Sequence, residues 1–320
     1  MKTFLVARRA VVILMAASLL AACASPPALV SGPSPEQRGL ARNEARAGGD
    51  LLYTGAAQYV EVYSFPAGEL QESFTITGEV NGMCSDSEGD VFVTAAPPKA
   101  SKSTSGFVYQ YAHGGKTPTA TLKLPGHGIP VACSSDPTTG NLAVTVQDSR
   151  DYAPSVAIYA KAAGTPKIYQ SDAIGAYPQA AYDGSGNLLV TSGGNVAAEF
   201  LPGKRKLQTI TLAQTLGGVR HLQWDGSHWA LQSFNVLKHN REKVLERIYR
   251  VQISGSSGQV VGRSKFQPWL ARDPGQSWIE GTTIVATPFS SIYFWTYPAG
   301  GMPIKAFRSS HHVKAITISS

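Results

Sequence analysis

The stretch VEVYSFPAG at residues 60–68 returns five times along the chain in altered spelling: GFVYQYAHG (106–114), SVAIYAKAAG (155–164), NVAAEFLPG (195–203), RIYRVQISG (247–255) and IYFWTYPAG (292–300). Each copy is an apolar strand that closes on an aromatic or apolar residue and a small-residue turn. Anchored on Phe65, Tyr111, Tyr159, Phe200, Val251 and Tyr297, the copies step by 46, 48, 41, 51 and 46 residues. One unit of this kind cannot bury its apolar face alone, and a period of about 40–50 residues suits four-stranded antiparallel blades stacked side by side.

A second piece recurs between these copies, a turn followed by an alternating strand: DSEGD then VFVT (86–94), DPTTGN then LAVT (136–145), and DGSGN then LLVT (183–191). The aspartate carboxylate can accept backbone N–H groups two residues on, and the glycine accepts positive φ without a steric cost. Asp225-Gly226-Ser227 is a shortened copy, and the turn near Glu280-Gly281 is degenerate. The arrangement resembles the NHL-type six-bladed β-propeller, an all-β fold of four-stranded antiparallel blades, over residues 50–320. The phrases YPAGG, YAHGG, DPTTGNLAVT and VQISGSSG further resemble a family of bacterial propeller lipoproteins, which implies a fold and no particular reaction. Two departures from the pattern blur the blade boundaries: a basic insertion at 234–246 and the missing Asp-Gly turn near 280. In that fold VKAITI (313–318) has the repeat phase of an innermost strand, while 51–74 supplies three outer strands, so the chain's end is expected to pair with its beginning and leave no open sheet edge there.

Upstream of the repeats the sequence changes character. Residues 1–22 combine a basic head (Lys2, Arg8, Arg9), an apolar run at 10–20 and small residues Ala21 and Ala22, the layout of a secretory signal peptide. The apolar run is too short to span a hydrocarbon layer of about 30 Å. Leu20-Ala21-Ala22-Cys23 resembles the bacterial lipobox, which implies several acyl chains on Cys23 and a tether to the cell envelope, the outer membrane preferred because Ala24-Ser25 carries no retaining aspartate. Residues 23–49, rich in Ala, Pro, Ser, Gly and Arg, read as a flexible stalk.

Composition excludes several classes. Charged residues make up 15% and hydrophobic ones 43%, which suits a globule and neither a disordered polyelectrolyte nor a multi-span membrane protein. The net charge of +7 includes Lys2, Arg8 and Arg9, and without the leader no basic stripe argues for nucleic acid. No dinucleotide or phosphate-binding glycine loop, nucleophile elbow or ligand-spaced His/Cys set occurs. No cofactor or metal is expected, and a monomer is. Cys84 and Cys133 precede their turn aspartates by two and three residues, so they occupy nearly matching places on adjacent blades. They read either as a disulfide, which the exported address permits, or as two buried thiols, the reading favoured because a one-residue phase offset points side chains to opposite faces.

Segments entering the innermost strands should gather round one mouth of the central channel, where ligands commonly sit. The candidates are His127, Asp172, Tyr177, Arg220, His221, Trp269, Arg272, Asp273, Arg308 and His311, a cationic, partly aromatic set suited to an anionic or sugar-like ligand. His221 reads as a surface or mouth residue and not a general base. The loops at 95–105 and 147–154 and the basic insertion should open on the same side. The reading that follows is a non-catalytic binding or scaffold module for a protein or glycan. The alternative, a metal-dependent hydrolase resembling gluconolactonase propellers, needs converging carboxylates and amides, for which Glu79, Asn81 and Asp172 are scattered candidates.

Overall fold

A computed structural model describes residues 49–97, 105–204, 206–237, 240–267 and 274–320. The leader, the stalk up to residue 48 and Cys23 lie outside the described residues, as do Trp269, Arg272 and Asp273. The described chain is built from strands, with a single 3-10 turn at Ala160–Ala162.

The strands form successive antiparallel meanders. β1 (Leu51–Ala56), β2 (Tyr59–Ser64) and β3 (Leu70–Thr75) are followed by β4 (Glu79–Ser85), β5 (Val91–Ala96), β6 (Phe107–Tyr111) and β7 (Ala120–Lys123), which make a second sheet. A third contains β8 (Gly128–Ser135), β9 (Leu142–Asp148), β10 (Pro154–Tyr159) and β11 (Lys167–Tyr169). A seven-stranded sheet comprises β12 (Gln179–Tyr182), β13 (Leu188–Thr191), β14 (Gly193–Phe200), β15 (Gln208–Trp224), β16 (Trp229–Leu237), β17 (Asn240–Ser254) and β18 (Ser257–Ser264). The fifth sheet has β19 (Pro274–Glu280), β20 (Thr283–Pro288), β21 (Ser291–Thr296) and β22 (Lys305–Arg308). β23 (Ala315–Ser319) joins the first sheet, in the order β23-β1-β2-β3.

The turns follow from local chemistry. Asp86 accepts the N–H groups of Glu88 and Asp90, both at 2.9 Å, and Asp183 accepts those of Ser185 at 2.8 Å and Asn187 at 2.9 Å. Gly89 and Gly186 take φ of +86° and +81° in these turns, which a side chain would resist. The seven-stranded sheet departs from the expected run of separate four-stranded units. β15 pairs through its first residues with β14 (Glu199↔Gln208, Val196↔Thr211) and through its last with β16 (Gly218↔Phe234, Trp224↔Trp229). Its sequence, QTITLAQTLGGVRHLQW, holds no Pro, Asn or Asp to break the strand, so one 17-residue element serves both sets of neighbours. The basic insertion is taken up as a longer β16–β17 hairpin, paired through Phe234↔Glu246 and Val236↔Val244.

The strands that begin each meander are neighbours in a closed cycle: β23 beside β4, then β8, β12, the second half of β15, β19 and β23 again. Each contact between meanders has its own apolar cluster. Met83, Val91 and Val93 face Tyr53 and Val62 on one side of the second sheet, while Cys84, Phe92 and Val108 face Cys133, Leu142 and Val144 on the other. Cys84 and Cys133 are bonded, with Cα atoms 5.7 Å apart. The one-residue offset that favoured separate thiols works the other way. Residues at the same phase point in the same sense round the cycle, so two side chains meet between adjacent sheets only when one points forward and the other back, which an odd offset provides.

Closure is made by backbone bonds from β23 to β1, registered Leu51↔Ser319 through Gly55↔Ala315. Val313, Ala315, Ile316 and Ile318 are buried. Three of them pack with Leu52, Ile292 and Phe294 in one cluster. Deleting residues 313–320 should leave β1 as an open apolar edge. The truncated chain is expected to aggregate, or to melt more than about 10 °C lower by circular dichroism, given a few degrees per kcal/mol and the loss of several buried aliphatic side chains. A truncation as soluble and as heat-stable as the full chain would refute the role given to β23.

Candidate functional site

The first strands enclose two cavities, one at each end. The larger, about 550 Å³, lies where these strands begin. β4 contributes Asn81 and β8 contributes Ile129 and Val131. Tyr177 and Gln179 come from the entry to β12, and Val219 and Arg220 from β15. Gly275 and Gln276 come from β19, and His312 to Lys314 lead into β23. The end of β9 adds Gln147 and Asp148, and the β9–β10 loop adds Tyr152. A smaller cavity of about 320 Å³ at the opposite end is bounded by the aspartate turns, including Asp86 and Asp183, with Cys84, Cys133 and His221.

Gln276 and His221 stand between the two. Gln276 donates from Nε2 to the Met83 carbonyl at 2.7 Å, accepts the Met83 N–H at 3.2 Å and lies 3.1 Å from His221 Nε2. Burial pushes the His221 imidazole down to about 3, so it is neutral near pH 7 and accepts from the amide. His221 is therefore an interior plug residue and not the surface or mouth residue expected: the β15–β16 register slips at Arg220, between Val219↔Ser233 and His221↔Gln232, and this bulge sets the face on which His221 lies. Other amide side chains stitch neighbouring strands in the same way. Gln232 donates to Gly275 O at 3.0 Å and accepts from Ser277 N at 2.9 Å, and Gln223 does the same with Ile279 at 2.7 and 2.8 Å.

At the mouth the charges have companions. The Arg220 guanidinium lies 4.5 Å from the centre of the Phe234 ring. Lys314 is paired with Glu79. The backbone N–H of Arg150, helped by its guanidinium, holds the Asp148 carboxyl below the usual carboxylate range. Tyr152 and Tyr177 are exposed, 63% and 62%, although both backbones sit at positive φ, +60° and +54°.

The candidates from the sequence divide. Tyr177 and Arg220 line the mouth cavity. His127 lies in the turn before β8 and Asp172 is exposed in the approach to Tyr177, neither against the cavity. Arg308 ends β22, the strand farthest from β19 in its sheet, which removes it from the mouth. His311 stacks on Tyr59 at 4.0 Å and bonds Glu61 at 3.3 Å, so it belongs to the closure. The tail at 309–312 crosses outward to β2 before turning in, which places His312 in the cavity and His311 outside it. Trp269, Arg272 and Asp273 are among the residues not described. Gln147, Tyr152 and Phe234 join the site through the structure. Tyr152 and Gln147 fall in the QDSRDYAP loop, whose length was the only sequence signal, and Phe234 at the edge of the basic insertion had none.

Among the described residues no three His, Cys, Asp or Glu side chains group as a metal site. Glu79 is engaged by Lys314, and Asn81 donates to Pro130 O at 2.8 Å. The turn aspartates are occupied by their own loops. The described residues thus do not fit the ion-binding set that a lactonase-like reaction needs.

A closed cycle of antiparallel meanders with its cavity at the strand entrances defines the class: the chain is a β-propeller. No protein-family model and no curated protein matches the sequence. Solved structures match the fold. A chain from the crystal structure of a nidogen/laminin complex is 13% identical, with TM-score 0.54, covering 85% of this chain and 99% of that one. A protein of unknown function from Bacteroides caccae is 10% identical, TM-score 0.59, covering 84% and 98%. The β-propeller domain of Cps50 (Swd1) from Myceliophteria thermophila is 10% identical, TM-score 0.55, covering 84% and 86%. At these identities the likeness is one of fold.

The closure carries a pH signature. Burial raises the Glu61 carboxyl, but hydrogen bonds from Ser309, Tyr63, Ser310 and His311 outweigh it and hold the group below its ordinary 4.5. A depressed folded value gives stability that is present above the unfolded value and lost as pH falls through the folded one. Thermal stability should therefore drop below about pH 4.5. Glu61→Gln should be less stable at pH 7 by about 1–3 kcal/mol and show a flatter acid limb in melts from pH 6 to pH 3. A variant with the wild-type slope would remove Glu61 from this role.

Proposed function

We propose that the chain is an exported, membrane-anchored lipoprotein whose propeller is a non-catalytic recognition or scaffold module, with its ligand, borne by a protein or a glycan, at the strand-entrance cavity. The observation that carries this reading is the cavity itself. Its roughly 550 Å³ falls in the range of small-ligand sites, it opens where varied segments converge, and its wall mixes aromatic, amide and charged side chains. The domain is taken as six blades of the NHL type, with β15 serving as the last strand of one blade and the first of the next. The first-strand cycle, the six repeat copies and the dual pairing of β15 support that count. The repeat phrases support kinship with bacterial propeller lipoproteins.

Anchoring follows from the leader and Cys23, with several acyl chains giving the durability that one chain lacks. The site proposed is the envelope, preferably the outer membrane, with the propeller as a monomer on its stalk. In a Gram-negative host fed alkyne palmitate, the wild-type chain should label and sediment with membranes, while Cys23→Ser should be unlabelled; labelling of the variant would overturn the anchor.

Recognition is tested on the detergent-solubilised full chain by thermal shift against soluble oligosaccharides and peptides. A binder should raise the melting temperature, and Ser192→Trp, which puts a bulky ring into the cavity wall, should abolish the shift, as should Ala176→Trp at an exposed position of the same wall, which leaves the packing of Ser192 on Gly175 intact. A shift that survives Ser192→Trp would move the ligand elsewhere.

A further inference from the structure

We propose that Tyr152 and Tyr177 form a paired stacking platform for a pyranose ring of a neutral glycan, whose hydroxyls reach the amide-lined cavity between them. The proposal rests on the mouth reading above and adds the class of ligand. Among the described residues three exposed aromatics sit at positive φ: Tyr152, Tyr177 and Phe289 at +60°. Tyr152 and Tyr177 line the mouth cavity. Phe289 follows β20, whose Pro288 pairs with Pro274 at the entrance of β19, and its ring lies 5.2 Å from that of the cavity residue His312. A bulky residue in that backbone region is strained, and an exposed ring gains little burial in return. The Tyr152 backbone is set by its turn, whose N–H bonds Asp148 O at 3.1 Å as Gly140 N–H bonds Asp136 O at 2.9 Å, so what burial does not account for is a large exposed ring where a glycine would serve.

One buried side chain fixes both. Gln147, 3% exposed, accepts the Tyr177 N–H on Oε1 at 2.8 Å and donates from Nε2 to the Tyr152 carbonyl. The amide ties together two loops of different sheets, so the rings are presented at small further entropic cost on binding. The Gln179 side chain, 8% exposed, lines the same cavity with no hydrogen bond to another described residue. Its amide opens onto the cavity, so a ligand hydroxyl can bond it without displacing another side chain.

Two exposed aromatic rings and an amide lining one cavity suit a pyranose, which has an apolar C–H face and a polar rim. The charges argue for a neutral sugar over a polyanion: Lys314 is held by Glu79, Asp148 by Arg150, and Arg220 lies over Phe234. This narrows the anionic or sugar-like expectation from the sequence to its second half.

The test uses detergent-solubilised full chain on an array of immobilised neutral and acidic oligosaccharides, with hits measured by calorimetry. A neutral pyranose oligosaccharide should be retained, and Tyr152→Gly and Tyr177→Gly should each weaken it about tenfold or more, the size of one good aromatic contact. Because glycine accepts positive φ, both variants should melt at or above the wild-type temperature, whereas a structural role would lower it. Tyr→Phe variants should bind within about threefold of wild type, since the ring and not the hydroxyl stacks. Unchanged binding in both glycine variants overturns the platform; if Ser192→Trp still abolishes that binding, the mouth reading stands without it. Binding unaffected by any of the three overturns both. Retention of acidic sugars only, or of no glycan, overturns the ligand class. In the latter case a peptide thermal shift that Ser192→Trp removes keeps the mouth reading, and its absence ends that too.

Discussion

The antiparallel pairing of β23 with β1 is the constraint on which the rest depends. A meander of four strands exposes two faces, and here each face is covered by the next sheet round the cycle, so no sheet has a core of its own. Such a cycle holds only if its last interface forms. In this chain that interface combines backbone bonds from Leu51↔Ser319 to Gly55↔Ala315 with the buried side chains of Val313, Ile316 and Ile318. The Glu61 cluster secures the same junction, with Ser309 Oγ at 2.6 Å and Tyr63 Oη at 2.7 Å donating to one carboxylate oxygen. A buried carboxylate with this many donors is satisfied, which is why the carboxyl stays ionised despite its burial.

Closure also makes the site. Gln276 reaches from β19 across to the Met83 backbone on β4, and that reach exists only because β23 holds the two ends of the chain at the right separation. The amide and the neutral His221 divide the interior, giving the mouth cavity a floor. The disulfide between Cys84 and Cys133 ties β4 to β8 beside the other cavity, across a sequence separation of 49 residues. Rigid inner strands thus carry a set of loops that are free to differ, a division of labour in which binding residues concentrate on connections held by a scaffold.

Much of the architecture was legible because it rests on local chemistry repeated many times. The aspartate turns, the strand alternation and the return of the YSFPAG-like phrase each point to antiparallel meanders, and the phase of VKAITI locates the last strand. The site was legible in part. Tyr177 and Arg220 could be placed because they immediately precede or begin first strands. Arg308 and His311 were misplaced because their position depends on which way the tail turns after β22, a choice made by Glu61 some 250 residues away in sequence. His221 lies inward because of a one-residue bulge at Arg220, which local spacing does not reveal.

The sequence by itself determined the strand-rich unit, its spacing and the turn chemistry, because each depends on residues a few positions apart. Only the tertiary structure decided that β15 would bridge two meanders, that Cys84 and Cys133 would meet, and that Gln147 would hold Tyr152 and Tyr177 together at one rim. Those outcomes hinge on which faces of neighbouring sheets come into register, and register between sheets is set by side-chain packing across the closed cycle, with no trace in the spacing of any one strand.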